Sequence, residues 1–122
     1  MINTYISPNL AIICGHSGCA VKGSDIVCAA ASMLLETAAS MGKDIPELDC
    51  VKFEGCAVLD MNRVKDAEAR SGILNMLYNG FGLLAANYPD RVKLSLGKGF
   101  EETAKQPSPA KSVSPRRRLY EL

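Results

Sequence analysis

Residues 15–32 read Gly15-His16-Ser17-Gly18-Cys19-Ala20-Val21-Lys22-Gly23-Ser24-Asp25-Ile26-Val27-Cys28-Ala29-Ala30-Ala31-Ser32, and this stretch holds the chain's one histidine. Its first half has three glycines and mostly small side chains, so it predicts a loop free to take unusual backbone angles. Its second half is alanine-rich and follows Ser24, a good N-cap, which predicts a helix from about 25 to 41 ended by Gly42. At 100° per residue, Ile26, Ala30, Met33, Leu34 and Thr37 share one face, the expected stripe against a sheet. Asp25, Cys28 and Ser32 cluster on another face.

Working outward, residues 2–6 and 10–14 are β-rich and are separated by Ser7-Pro8-Asn9, a turn signal, so they predict a hairpin whose second strand delivers His16. Residues 49–53 and 56–60, joined through Glu54-Gly55, predict a second hairpin. Asp66 can cap a longer helix over 67–87, with Ile73, Leu77, Phe81, Leu84 and Tyr88 at helical spacing before Pro89 stops it. Gly72, Gly80 and Gly82 each cost that helix roughly 1 kcal/mol of propensity, so tertiary packing has to hold it, and they permit close approach to a sheet or a second subunit. Residues 91–96 alternate as a last strand. The order is ββαββαβ: a small α+β domain with a mainly antiparallel sheet, two helices, and the histidine in a glycine-rich loop between the second strand and the first helix.

The 122 residues suit one domain with a modest core. With 48% hydrophobic residues, no tryptophan and 6% aromatics, that core is built from aliphatic side chains and disorder throughout is excluded. The net charge of +1 gives no global field for nucleic acid or membrane, yet charge is unevenly placed: 8 basic and 10 acidic residues up to Leu96, 6 basic and 3 acidic from Gly97 on. Residues 1–97 are therefore expected to form the domain and residues 98–122 a flexible, basic, Pro/Ser-rich tail. No apolar run nears the roughly 20 residues of a membrane span, and the beginning does not resemble a secretion signal, so a cytoplasmic location is expected. Five cysteines are an odd number without an export signal, which favours reduced thiols over a disulfide framework.

A cysteine in the first turn of a helix sees unpaired backbone N–H groups and the positive end of the helix dipole, both of which favour thiolate. The same N–H groups can hold an oxyanion formed when a carbonyl is attacked. Cys28 is so placed, and if an imidazole activates it, that imidazole is His16. The plain alternative is a small buried core cysteine and a surface histidine.

The run GHSGCAVKGSDIVCAAAS resembles the signature of the ribosomal-processing cysteine proteases, the Prp family, close to G-H-x-G-x-A-x-x-G-x-D-I-V-C-A-A-x-S. Weaker similarity extends over about residues 1–96. The resemblance implies a small α+β homodimer and a Cys/His endopeptidase without cofactor or metal, in which Cys28 is the nucleophile and His16 its base. Gly15, Gly18, Asp25 and Ser32 would be supporting or substrate-binding positions. It further implies a peptide substrate, the precursor of large ribosomal subunit protein twenty-seven, cut after a pair of aromatic residues so that ribosome assembly can proceed. The first hairpin is shorter than is usual in the family, Cys19 occupies a variable position, and the tail lies outside the resemblance. A virion-gene neighbourhood would point to a phage-borne relative that cuts another protein.

Two readings of another class compete. A zinc-binding interaction module would use Cys14, Cys19, Cys50 and Cys56, with or without His16, although C-x4-C and C-x5-C are wider than the commonest knuckle. A silent binding protein would hold a ribosomal protein or RNA, with Arg116, Arg117 and Arg118 touching phosphate; three arginines in such a tail are more often a solvated patch, and no specific nucleic-acid partner is expected.

Overall fold

The structure, a computed structural model, describes residues 1–15 and 25–100. Five strands and two helices follow the expected order: β1 (Ile2–Ser7), β2 (Leu10–Gly15), α1 (Ile26–Ser40), β3 (Asp49–Phe53), β4 (Cys56–Asp60), α2 (Ala67–Asn87) and β5 (Val92–Leu96), with a short 3-10 turn at Met41–Lys43. The sheet runs β3-β4-β2-β1-β5, antiparallel throughout except where β5 joins β1 in parallel. A parallel neighbour requires a crossover, and α2 supplies it.

Alternation along the strands decides which face is covered. Ile2, Thr4 and Ile6 of β1, Ala11 and Ile13 of β2, and Ala57 and Leu59 of β4 are all buried. Against them lie Val27, Ala31 and Ala38 of α1, and Ile73, Leu77 and Phe81 of α2. The opposite face carries Tyr5, Ile12, Cys14, Cys56, Val58, Val51 and Phe53 by the same alternation, and of these Val51 and Phe53 are 48% and 59% exposed.

α2 has the predicted bounds: Asp66 caps it by accepting from the Glu68 and Ala69 amides, and Ile73, Leu77 and Phe81 are buried while Leu84 and Tyr88 lie nearer its open end. α1 departs from expectation in three ways. Its N-cap is Asp25 rather than Ser24, because the Asp25 carboxylate accepts from the amides of Val27 and Cys28. Its buried side chains are Val27, Ala31 and Ala38, whereas Ile26 and Met33 are 68% and 67% exposed. The two candidate faces carry similar alanine-rich content, so periodicity alone could not choose between them. Gly42 lies inside the 3-10 turn and is not a left-handed cap; a Cβ there would stand 3.3 Å from Leu48.

Of the α2 glycines, Gly80 packs against α1: a Cβ on it would fall 2.5 Å from Leu34 Cδ2. The packed chain also runs past the expected boundary. Phe100 is buried at 2% exposure, its ring centroid 5.4 Å from that of Tyr78, so residues 98–100 belong to the domain and not to the tail. Residues 101–122, including the three arginines, lie outside the described residues.

The expectation of reduced thiols is overturned at one pair. Cys14 and Cys56 face each other across β2 and β4, Cα to Cα 4.1 Å, and are joined in a disulfide, while Cys28 and Cys50 remain thiols. Gly15 N donates to Gly55 O at 2.8 Å, which makes the Cys14–Cys56 pair one of the non-hydrogen-bonded positions where opposed side chains come closest. No single-sequence pattern revealed that register.

Candidate active site

A cleft of about 210 Å³ opens between the first turns of α1 and the end of the sheet formed by β2, β3 and β4. Cys28, Ala31, Ser32 and Leu35 form its helical wall. Ile2, Ile13, Gly15 and Ala57 form its floor on the helix-covered side of the sheet, and Lys52, Phe53 and Gly55 its rim.

Local sequence explains each wall. Gly15 ends β2 with φ +101°, a conformation that glycine adopts without cost, and it passes so close to the N-terminal strand that a Cβ would fall 2.2 Å from the Met1 carbonyl oxygen. The β3–β4 hairpin turns on Glu54-Gly55, with Gly55 at φ +75° as the second turn residue. That tight turn brings Phe53 to the rim. Lys52 points to the helix-covered side and is ion-paired with Glu36 of α1, whose hydrogen bond holds the lysine above its ordinary range.

Of the sequence-predicted residues, three line this one cleft: Gly15, Cys28 and Ser32. Asp25 sits just before Cys28 as the cap, its Oδ1 accepting at 3.0 Å from both Val27 N and Cys28 N. Those two amides are therefore taken up inside the helix start and are not pointed at an incoming oxyanion, contrary to the expectation that the first turn alone would supply that stabilisation. His16 and Gly18 lie outside the described residues, as does Cys19.

Apart from Gly15, the rim and floor residues escaped sequence reasoning. Ile13, Leu35, Lys52 and Phe53 reach the cleft through strand order and helix placement, and only the Glu54-Gly55 turn gave a local sign that β3 and β4 form one hairpin. The zinc set is not assembled: Cys14 and Cys56 are bonded to each other on the open face, Cys50 alternates to the covered face, and no group of three potential ligands occurs among the described residues.

A half-buried first-turn cysteine lining a cleft at the edge of a small α+β sheet is the arrangement a thiol hydrolase would use. The chain belongs to the cysteine protease Prp family, whose model matches residues 5–93. Three solved structures share the fold. The essential ribosomal processing protease Prp from S. aureus, with a covalently linked product peptide, superimposes with a TM-score of 0.71 at 21% identity over 80% of this chain and 100% of its own. The same protease with a substrate peptide gives 0.66 at 20% identity, over 80% and 100%. SMU.848 from Streptococcus mutans gives 0.63 at 22% identity, over 79% and 93%. No curated protein matches the chain at a significant level. The enzyme is a cysteine protease, and among the described residues no helix is long and apolar enough to cross a membrane.

Proposed function

We propose that this protease removes the N-terminal extension of large ribosomal subunit protein twenty-seven in the cytoplasm, with Cys28 as nucleophile and His16 as its base. The observation that carries this reading is that Gly15, bonded directly to His16, lines the same cleft as Cys28. An imidazole that begins one residue beyond the cleft floor has the reach to meet a sulfur in its wall.

Cys28 Sγ attacks the scissile carbonyl while His16 takes the thiol proton; the imidazolium then protonates the leaving amine, and a water activated by the same imidazole hydrolyses the thioester. Asp25 holds the turn that presents the sulfur. Ser32, one helical turn deeper on the same wall, contacts the substrate. Gly15 and Gly18 let the backbone approach the peptide. The oxyanion is met by donors other than the Val27 and Cys28 amides, since Asp25 accepts from both.

The cleft suits apolar side chains beside the cut, since Ile2, Ile13, Leu35 and Phe53 line it together with Cys28. The S. aureus ribosomal processing protease, whose structures carry a substrate and a product peptide, supports the same substrate class. The uncovered sheet face with Val51 and Phe53 offers a surface for the second copy of a homodimer, which sedimentation of the protein against a Phe53→Glu variant would test.

Incubation of the extended ribosomal protein with wild type, Cys28→Ala and His16→Ala decides the main reading. Wild type alone shortens the substrate. Equal cleavage by Cys28→Ala overturns the nucleophile, and equal cleavage by His16→Ala overturns the base.

A further inference from the structure

The Cys14–Cys56 disulfide lies on the open face of the sheet by alternation, at the rim of the cleft. Ile13 and Ala57, the neighbours of the two cysteines along their strands, point to the covered side and line the cleft with Gly15. Alternation therefore turns both sulfurs toward the open face, while Cys56 also lines the cleft at its rim beside Phe53 and Gly55. Both cysteines are only half-buried, so a dissolved thiol reaches them without opening the core. The bond joins the last residue but one of β2 to the first of β4, at the point where the chain leaves the sheet toward His16. Beyond that pair, Gly15 N donates to Gly55 O at 2.8 Å on the β4 side, and on the other side Gly15 stands opposite Ile2 of β1. The covalent loop closed by the bond contains all of α1, Asp25 and Cys28.

We propose that Cys14 and Cys56 form a reversible redox clasp that sets the rate of chemistry at Cys28 by holding or releasing the end of β2. The inference rests on the protease reading for its effect on turnover. A dithiol reductant opens the clasp: its thiolate attacks one sulfur, forming a mixed disulfide and releasing the other as thiolate, and its second thiolate then displaces the first sulfur. Two electrons pass to the protein, both cysteines end as thiols after taking up two protons, and the reductant leaves as a disulfide. A fixed β2 end holds Gly15 in the floor of the Cys28 cleft, so the disulfide form keeps that floor preorganised and the dithiol form lets it move.

The test uses the full chain poised in a series of oxidised and reduced dithiol buffers, with reactive Cys28 titrated in each sample so that its own oxidation is corrected for. Two quantities are read: hydrogen exchange of the Gly15 amide, and cleavage of the extended ribosomal protein per titratable Cys28. Opening the clasp is expected to speed Gly15 exchange about tenfold and to slow cleavage several-fold, and a Cys14→Ser/Cys56→Ser double variant should show the reduced values at every potential. Equal Gly15 exchange in the two forms, equal cleavage per titratable Cys28, or a double variant that still responds to the buffer each overturns the clasp. Absence of cleavage in every sample overturns the protease reading instead, and Gly15 exchange then judges the clasp by itself.

Discussion

The amide of Cys28 donates to the carboxylate of Asp25 at 3.0 Å, and the amide of Val27 donates to the same oxygen at the same distance. One oxygen thus ties down two of the unpaired donors at the start of α1, and Cys28, the proposed nucleophile, is held in the third helical position. A carboxylate at the N-cap is also favourable with the helix dipole. The geometry makes Asp25 a positioning residue for Cys28.

Asp25→Ala should therefore lose about 1 kcal/mol of stability through the missing cap, and cleavage should fall as the first turn frays. Asp25→Asn keeps an acceptor oxygen at the same place and should restore both. Urea unfolding and cleavage of the extended ribosomal protein measure the two effects. An Asn variant as stable as wild type but as slow as the alanine variant would show that the charge, and not the cap, serves the reaction.

Gly15→Ala meets two obstacles at once. The φ of +101° lies where side-chain-bearing residues are strained, and the new methyl would fall 2.2 Å from the Met1 carbonyl oxygen, a backbone atom with no rotamer to escape into. A loss of about 3 kcal/mol or more is expected, together with loss of cleavage, because the same residue floors the Cys28 cleft. Thermal unfolding at wild-type temperature would remove the argument from close approach.

Gly72 and Gly80 occupy one helix and should respond oppositely to alanine. A Cβ on Gly72 has no atom within 4 Å, so the substitution should stabilise by about 0.5–1 kcal/mol through helix propensity. On Gly80 the methyl would meet Leu34 Cδ2 at 2.5 Å and Cδ1 at 2.8 Å, in the contact between α1 and α2. Moving Leu34 costs about 1–3 kcal/mol, more than propensity returns. Paired denaturation curves check the sign of each, and a stabilising Gly80→Ala would mean that Leu34 turns aside freely.

What could be read in the sequence depended on whether a signal was local. The second hairpin and α2 coincide with their predicted bounds because turn glycine, capping aspartate and terminal proline each act within a few residues. Cys28 and Gly15 were legible from the spacing of one run, and the fold brings both to one cleft. The cap was misplaced by one residue because Ser24 and Asp25 are both good caps. The covered face of α1 was missed because alanines surround that helix, and Ile26 and Met33, its larger apolar residues, point outward. Phe53, Lys52 and the Cys14–Cys56 register depend on strand order, which no local pattern encodes.

Phe100 tests where the domain stops. The sequence after Gly97 is polar and basic, yet Phe100 is 2% exposed among core residues and tilts against Tyr78. Gly97 N donates to Ile6 O and Phe100 N to Gly97 O, which turns the chain back over the sheet after β5. Removing a buried phenylalanine costs about 3–5 kcal/mol in a well-packed core, and a residue that follows the last strand gives the lower part of that range. A chain ended after residue 100 should melt with the full-length protein, whereas one ended after residue 97, or the full chain with Phe100→Ala, should melt lower by about 12 °C or more. Calorimetry on the three chains checks this, and coincident melting of all three would mean that the core closes without Phe100.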